Sequence, residues 1–124
     1  MIAIGYDIGS SFVKAALVDV STGKPITRVR VPETEMPMEA QQLGWAEQDP
    51  NLWWKYLCDA TKMLLKEAQI SGDQITSIGI SYQMHGLVLV DKNKQVLRDS
   101  IIWCDSRSVS IGDTAFNAIG TEKC

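Results

Sequence analysis

The chain of 124 residues has no run of lysine or arginine, and its formal net charge is −3. Nucleic acids and anionic membranes attract clustered positive charge, so the composition argues against both as partners. No apolar run is long enough to cross a bilayer. Asp7 also interrupts the apolar N-terminus before the hydrophobic region of a signal peptide could form. We therefore expect a cytoplasmic protein.

Cysteine is scarce as well, with three residues in all: Cys58, Cys104 and Cys124. They are odd in number, widely spaced and form no CxxC pair, which argues against a disulfide framework and against a zinc site. Internal repeats and low-complexity segments are absent from the sequence. The hydrophobic content of 45% and the charged content of 22% are typical of a globular domain, and the length suits one domain with a core.

Three strands are predicted in the first quarter of the chain, at residues 2–6, 12–20 and 26–31. The second strand carries apolar residues on both faces, which indicates burial on both sides. In the third strand, Val29 and Val31 alternate with Arg28 and Arg30, which indicates that one face is exposed to water. Because the links between the strands are short, an antiparallel meander is predicted.

A loop and a long helix follow the meander. Residues 32–48 show no periodicity and contain prolines, which is typical of a loop. Asp49-Pro50 is typical of a helix N-cap followed by the first helical position. Apolar residues spaced by three and four continue the helix to Ala68, and Ser71-Gly72 ends it. We interpret Trp53-Trp54 as core and sheet-packing residues rather than as a ligand site.

Four further elements follow this helix: a strand, a hairpin around a polar turn, a short extended run and a weaker helix, at residues 75–82, 87–97, 100–103 and 105–120. A three-strand meander, then a helix that crosses to a further strand, is how the ribonuclease H-like, actin-like nucleotide-binding fold opens. The predicted fold class is therefore α/β, with this chain forming the N-terminal portion of such a fold.

The end of the first strand carries a polar cluster, Asp7-Ile8-Gly9-Ser10-Ser11. An aspartate can hold hydrated Mg²⁺, a glycine lets backbone N–H groups approach a phosphate, and serine hydroxyls donate to phosphate oxygens. The same residue types also form the Asx or serine turn that closes a hairpin. The cluster therefore predicts a site for a metal-bound phosphate or, alternatively, a simple turn.

Two more polar clusters also follow apolar runs, Gln83-Met84-His85-Gly86 and Trp103-Cys104-Asp105-Ser106-Arg107. Both have structural interpretations, because His85 could be a satisfied structural histidine and Asp105 could cap the helix after it. Structural roles alone are expected for four residues. Arg107 is expected to form an ion pair or to be solvated, Asp49 to cap a helix, and Glu47 and Gln48 to brace the loop.

The three clusters, with Gly44–Pro50 and Trp53-Trp54 between them, occur in an order that resembles the N-terminal part of an FGGY-type carbohydrate kinase. The resemblance runs to about Ile119. The Gln83–Gly86 segment is the most discriminating part, since glycerol kinases of this family carry an arginine and a glutamate there. The resemblance implies transfer of the γ-phosphoryl group of ATP to a primary hydroxyl of a ketopentose such as xylulose.

The resemblance also implies roles for individual residues. Asp7 matches an aspartate that helps to position Mg²⁺, usually through water. Gly9, Ser10 and Ser11 match the phosphate loop, although the family often has threonine at the first hydroxyl position. Met84 and His85 match residues that line the sugar pocket, and Asp105 matches an acidic residue near the sugar. With Gln83 and Trp103, these residues form the candidate sugar-binding set. A sugar site needs several fixed polar groups and an apolar wall, and this set contains both.

In this family the catalytic base is an aspartate that lies beyond residue 124, and a second domain binds adenine. We therefore expect residues 1–124 to be the N-terminal part of the first domain of a kinase, and to be inactive alone. The alternative is a shortened, non-catalytic module that binds a sugar or phosphate without turnover. Since the predicted sheet is incomplete, its exposed edge could favour a homo-oligomer.

A nuclease of the ribonuclease H type is the rival from another class. Two-metal cleavage needs several convergent carboxylates. The predicted fourth strand leads to Gln83 without an acid, and the net charge disfavours nucleic acid. The sequence therefore argues against a nuclease.

Overall fold

The structure, a computed structural model, describes residues 1–120 and 122–123, so Cys124, one of the three cysteines for which no disulfide framework or zinc site is expected, lies outside the described residues. The elements are, in chain order, β1 (Ile2–Ile8), β2 (Val13–Asp19), β3 (Lys24–Val31), β4 (Glu47–Gln48), α1 (Pro50–Ala68), a short 3₁₀ helix (Gly72–Gln74), β5 (Ile75–Tyr82), β6 (Ser100–Ile101) and α2 (Val109–Ile119). A four-stranded sheet has the order β3-β2-β1-β5, and β4 pairs with β6 separately.

The three predicted strands form the antiparallel meander. β1 extends two residues further than predicted, because Asp7 and Ile8 pair with Lys14 and Val13 of β2. β5 pairs with β1 in parallel. The carboxyl ends of β1 and β5 therefore meet at one edge of the sheet, where the first two polar clusters begin.

Helix α1 packs on one face of the sheet and forms the core with it. Val13 and Leu17 of β2 and Leu64 of α1 are fully buried. On the other face of β2, Lys14 is exposed and Ala16 is half-buried. The expectation that β2 is buried on both sides is therefore wrong for the described residues, because α1 covers a single face.

The two outer strands of the sheet, β3 and β5, differ in the solvent exposure of their side chains. β3 shows the predicted alternation, since Val29 and Val31 are buried and the arginines between them are exposed. β5 is an edge strand, and its side chains Ile78, Ile80 and Tyr82 are all more than half exposed. They lie on the α1 side of the sheet, in register with Ile4, Tyr6 and Ile8 of β1. The exposed edge is present, and the homo-oligomer stays a prediction.

The capping of α1 confirms the predicted start of the helix. Asp49 is the N-cap, and its Oδ1 accepts from the backbone N–H of Asn51 at 2.9 Å. The helix ends at Ala68, three residues before the predicted end, because Gln69 adopts the left-handed conformation with φ 55°. Ser71 instead precedes the 3₁₀ helix. No helix among the described residues is both long and apolar enough to cross a membrane.

The remaining predictions are corrected in detail. The predicted loop at 32–48 ends in a strand, β4, whose partner β6 lies within the predicted extended run. The predicted hairpin at 87–97 has the expected turn, but its two arms form one isolated bridge, Val90 with Val96, rather than a ladder. Helix α2 begins at Val109 instead of near Asp105, because residues 105–107 form a turn held by side chains.

Candidate functional site

The polar clusters meet at the edge formed by the ends of β1 and β5. The backbone N–H of Gln83 donates to the carbonyl of Ile8 at 2.9 Å, which joins the second cluster to the first. The indole Nε1 of Trp103 lies 3.4 Å from Oγ of Ser10, which places the third cluster beside the first. The parallel pairing of β1 and β5 explains this convergence, because parallel strands end at the same edge.

In the turn between β1 and β2, which we call the phosphate turn (residues 9–12), three consecutive carbonyl groups are bound by protein donors. The Ser10 carbonyl accepts from Nε2 of Gln48 at 2.6 Å, and the Ser11 carbonyl accepts from the N–H of Met36 at 2.9 Å. The Phe12 carbonyl accepts from the N–H of Gly9 at 3.0 Å. The Ser10 and Ser11 carbonyls are thus bound by donors from outside the turn, and the Phe12 carbonyl by a donor within it.

The N–H groups of Ser10, Ser11 and Phe12 have no acceptor among the described residues. In a trans peptide the N–H points away from the carbonyl of the preceding residue. Anchoring the Ser10 and Ser11 carbonyls therefore directs the N–H groups of Ser11 and Phe12 outward. Successive unpaired N–H groups of this kind form a concave anion site. A Cβ atom at Gly9 would lie 3.3 Å from the Phe12 carbonyl, which accounts for glycine in so tight a turn.

Asp7 lies at the end of β1 on the face opposite α1, directly across from Lys14 in the register of β1 and β2. Nζ of Lys14 is 3.1 Å from Oδ2 of Asp7, and both side chains are more than half exposed. Sequence reasoning missed Lys14. The signal that could have found it is its place in an antiparallel pairing across a four-residue turn, which puts residues seven apart opposite each other.

The residues around Asp7 suit a hydrated magnesium ion. Oδ1 of Asp7 has no partner among the described residues, and the Ser11 hydroxyl has none either. Among residues 1–120 and 122–123, no group of three or more histidine, cysteine or acidic side chains converges. Mg²⁺ keeps several of its waters and is commonly held by one or two carboxylates plus substrate phosphates. One carboxylate beside a phosphate turn fits that requirement.

The second cluster borders a groove of about 400 Å³ on the α1 side of the sheet. Its lining residues come from β1, α1, β5 and the segment after β5: Ile8, Trp53, Trp54, Leu57, Tyr82, Gln83, His85, Gly86 and Val88. The side-chain nitrogen and oxygen of Gln83 are buried and have no hydrogen-bond partner among the described residues. A buried polar group without a partner is costly, so this carboxamide is suited to a ligand hydroxyl.

The five residues expected at the sugar pocket do not all share this groove. Gln83 and His85 line the groove. His85 has a φ of 64°, which is a strained backbone conformation for a residue other than glycine and recurs at binding sites. Met84 is 63% exposed and lies outside the lining. Trp103 lies beside Ser10, on the phosphate side. The sugar roles of these residues stay predictions.

The tryptophans of α1 have different environments. Trp53 packs against the core, as expected, and also lines the groove. Trp54 is 68% exposed and lines the groove without joining the core. The core interpretation is therefore wrong for Trp54, because the helix turns this position away from the sheet's buried residues.

The carboxylate of Asp105 is enclosed by protein donors, with 2% of the side chain exposed. The N–H of Ala46 donates to Oδ2 at 2.7 Å, and the backbone N–H, Nε and Nη2 of Arg107 donate at 2.9, 2.9 and 2.7 Å. These bonds, first of all those from the Arg107 side chain, hold the pKa of Asp105 well below its ordinary value of 3.8. The N-cap of α2 is Ser108, so the alternative cap role of Asp105 is wrong. Its sugar contact stays a prediction.

Arg107 connects this carboxylate to a second one. Its Nη2 is 2.6 Å from Oε1 of Glu47, and its guanidinium stacks on Trp45 at 3.8 Å from the ring centroid. Arg98 binds the same Glu47 carboxylate. The hydrogen bonds from Arg98, and then those from Arg107, lower the pKa of Glu47. The ion pair expected for Arg107 and the bracing role of Glu47 are confirmed, whereas Arg98 was missed.

The ion cluster of Glu47, Arg98, Asp105 and Arg107 fastens two distant segments to each other. The β4–β6 pairing lies beside it, so residues 45–48 are tied to residues 98–107 by backbone and side chains. This attachment holds Trp103 next to the phosphate turn. The cluster thus has a structural role that supports the edge of the sheet.

Comparison with known proteins decides the family. Residues 2–123 match the N-terminal domain of the FGGY family of carbohydrate kinases. The chain belongs to this family. It is 36% identical over 105 residues to the xylulose kinase of Bacillus subtilis, and this match covers 85% of the chain and 20% of the relative. It is 37% identical over 108 residues to the L-xylulose/3-keto-L-gulonate kinase of Escherichia coli, covering 87% of the chain and 21% of the relative.

A structural match supports the same family. The chain resembles the ligand-bound xylulose kinase of Lactobacillus acidophilus with a TM-score of 0.84 and 30% identity, covering 95% of the chain and 23% of that structure. The predicted family and the α/β, actin-like fold of the FGGY sugar kinases are thereby confirmed. The predicted relationship of the chain to carbohydrate kinases, which are phosphotransferases, is also confirmed. The chain spans about a fifth of the length of the curated relatives that it matches.

Proposed function

We propose that residues 1–124 form the N-terminal part of the first domain of an ATP-dependent kinase, on its sugar- and phosphate-binding side. The proposed reaction converts a ketopentose, foremost D-xylulose, to its 5-phosphate. The observation that carries the proposal is the phosphate turn, in which three consecutive carbonyls are bound by protein donors and the N–H groups of Ser10, Ser11 and Phe12 have no partner among the described residues. Family membership supplies the reaction class.

In the proposed site the phosphate turn binds the oxygens of the transferred phosphoryl group. Its N–H groups and the hydroxyls of Ser10 and Ser11 donate hydrogen bonds, and Lys14 adds positive charge 3.1 Å from Asp7. Asp7 would hold Mg²⁺, and the bound ion would supply positive charge to offset the negative charge that develops on the phosphate oxygens. Phosphoryl transfer depends mainly on such positioning and electrostatic stabilisation.

The proposed sugar site uses the segment after β5. The buried carboxamide of Gln83 offers a donor and an acceptor, a pair that matches neighbouring sugar hydroxyls. Trp53 and Trp54 supply apolar walls on the same groove. His85 borders the groove from a conformation with positive φ, which the substrate would help to stabilise.

A second candidate, binding without turnover, is favoured by one observation on this chain. The two acids of the described clusters are engaged by cations, since Asp7 pairs with Lys14 and Asp105 is enclosed by Arg107. Neither is placed to accept the proton of a sugar hydroxyl. In this candidate the chain binds sugar and phosphate and catalyses no transfer.

Binding of D-xylulose by the 124-residue chain tests the sugar site. We expect D-xylulose to shift the backbone resonances of residues 83–86 in a saturable way, with no ADP formed when Mg²⁺-ATP is added in a coupled assay. Gln83→Leu should weaken this binding about fivefold, since it removes the hydrogen bonds to the sugar and keeps the size of the side chain.

The matched control is the exposed Gln41→Leu, which should leave the dissociation constant unchanged. Glycerol and gluconate serve as comparison ligands. If the chain is well folded and its resonances do not shift when D-xylulose is added, the proposed sugar site is refuted. ADP formation by the chain alone would refute binding without turnover.

A further inference from the structure

Gln48 is a buried polar residue to which sequence reasoning assigned no chemistry. The residue is 2% exposed, and its backbone pairs with Ser100 where β4 meets β6. It directly precedes Asp49, the N-cap of α1. The backbone of Gln48 is therefore held by a strand pairing on one side and by the start of a helix on the other.

The carboxamide of Gln48 is fully engaged. Its two N–H donors serve the Ser10 carbonyl at 2.6 Å and the Pro37 carbonyl at 3.2 Å. Its Oε1 accepts from the indole N–H of Trp53 at 3.3 Å. The contacts on both ends prevent the carboxamide from rotating, so the donor that faces Ser10 cannot be exchanged for the oxygen.

The bond to the Ser10 carbonyl also determines the direction of the next backbone N–H group, that of Ser11. The Ser10 carbonyl and the Ser11 N–H belong to one planar trans peptide and point in opposite directions. Among the described residues, Gln48 is the one group that binds the Ser10 carbonyl. Without it, this peptide could turn, and its carbonyl dipole would then face an anion instead of the N–H.

We propose that Gln48 is a positioning residue for phosphate binding, which orients the Ser11 N–H outward by fixing the Ser10 carbonyl. The role in phosphate binding rests on the proposed function, whereas the orientation of the Ser11 N–H does not. Trp53 ties the same carboxamide to the wall of the sugar groove, so one buried side chain connects both halves of the proposed site.

The test separates the geometry from the binding. Residual dipolar couplings of the ligand-free 124-residue chain report the direction of the Ser11 N–H, and a titration with inorganic phosphate reports the dissociation constant. Gln48→Met removes both donors, and Gln48→Glu replaces them by a carboxylate that repels the Ser10 carbonyl. We expect both variants to change the Ser11 coupling and to weaken phosphate binding about fivefold.

Couplings from β2 and β3 should stay the same in both variants, which shows that the fold is intact. Gln41→Met, in the exposed part of the preceding loop, is the matched control and should alter neither measurement. An unchanged Ser11 coupling in Gln48→Met and Gln48→Glu would overturn the positioning role. If the couplings change but the unmodified chain does not bind phosphate, Gln48 positions the turn and the proposed phosphate site is wrong.

Discussion

Asp7→Asn is expected to abolish the effect of magnesium on phosphate binding by this chain. In the unmodified chain, Mg²⁺ should strengthen the binding of inorganic phosphate about tenfold, because Asp7 would hold the ion and the positive charge of the ion would attract the phosphate. The asparagine variant keeps the size of the side chain but loses the charge that attracts the ion. Magnesium should therefore give it little or no gain.

Without magnesium the same substitution should strengthen phosphate binding. The Asp7 carboxylate repels an anion and occupies Lys14, whose ammonium lies 3.1 Å away. Removing that negative charge leaves the lysine available to the phosphate. Two changes of opposite sign, with and without the metal, distinguish a metal-binding carboxylate from a residue that merely maintains the turn.

Isothermal titration calorimetry with phosphate, at a fixed ionic strength, measures both changes. Asp59→Asn is the matched control, because Asp59 also forms an exposed ion pair with a lysine, Lys55 on α1, at 2.8 Å. Stability should hardly change in either variant, since exposed ion pairs contribute little. An Asp7→Asn chain with the full magnesium response would exclude Asp7 as the metal-binding residue.

Asp105 is expected to make the stability of the chain sensitive to acid. Its folded-state pKa and that of Glu47 lie below their ordinary values of 3.8 and 4.5. A carboxylate with a depressed folded-state pKa stabilises the fold fully above its unfolded pKa and loses this contribution as the pH falls toward the folded value. The melting temperature should therefore be level above about pH 5 and should fall steadily below it.

Asp105→Asn should remove part of this dependence. The variant leaves Arg107 without one of its two carboxylates and disturbs the bond to Ala46, so a melting temperature lower by roughly 10 °C is expected at pH 7. Its decline toward pH 3 should be shallower than that of the unmodified chain. Thermal melts followed by circular dichroism between pH 3 and 8 give both quantities.

The exposed Asp113→Asn serves as the control for removing one negative charge, and it should leave the pH dependence unchanged. Trp103 provides a second readout, since its indole is held beside Ser10 by the segment that Asp105 anchors. Equal slopes of melting temperature against pH for Asp105→Asn and the unmodified chain would mean that the contacts with Arg107 do not lower the pKa of Asp105.

Strong local patterns made much of the fold predictable from the sequence. The alternation of Val29 and Val31 with arginines, and the Asp49-Pro50 start of α1, are local signals that the structure confirms. The meeting of Asp7 and Gln83 at one edge follows from the parallel pairing that a crossover helix allows.

Features that depend on distant contacts were not predictable in the same way. β4 is two residues long, so it has no periodicity, and its pairing with β6 links positions about fifty residues apart. The enclosure of Asp105 also depends on a distant partner, the N–H of Ala46. A helix cap and a buried ion pair use the same residue type, and the sequence around Asp105 does not distinguish them.

The site was predictable as a set of clusters and less so as a geometry. The sequence located the phosphate turn and the segment after β5, but not the roles of Lys14 and Gln48. Lys14 becomes relevant because it faces Asp7 across the meander. Gln48 becomes relevant because its carboxamide reaches a carbonyl 38 residues away in sequence. That the Gln83 carboxamide is buried without a hydrogen-bond partner among the described residues can be learned only from the structure.

The most direct test of the proposed function is phosphorylation of D-xylulose by a chimera. In it, this chain replaces the matching N-terminal segment of the Bacillus subtilis xylulose kinase, to which it is 36% identical. We expect ATP-dependent formation of xylulose 5-phosphate by the chimera, and its loss with Asp7→Asn. A folded chimera that hydrolyses or binds ATP but leaves D-xylulose unphosphorylated would contradict the assignment of this chain to the sugar and phosphate side of a pentulose kinase.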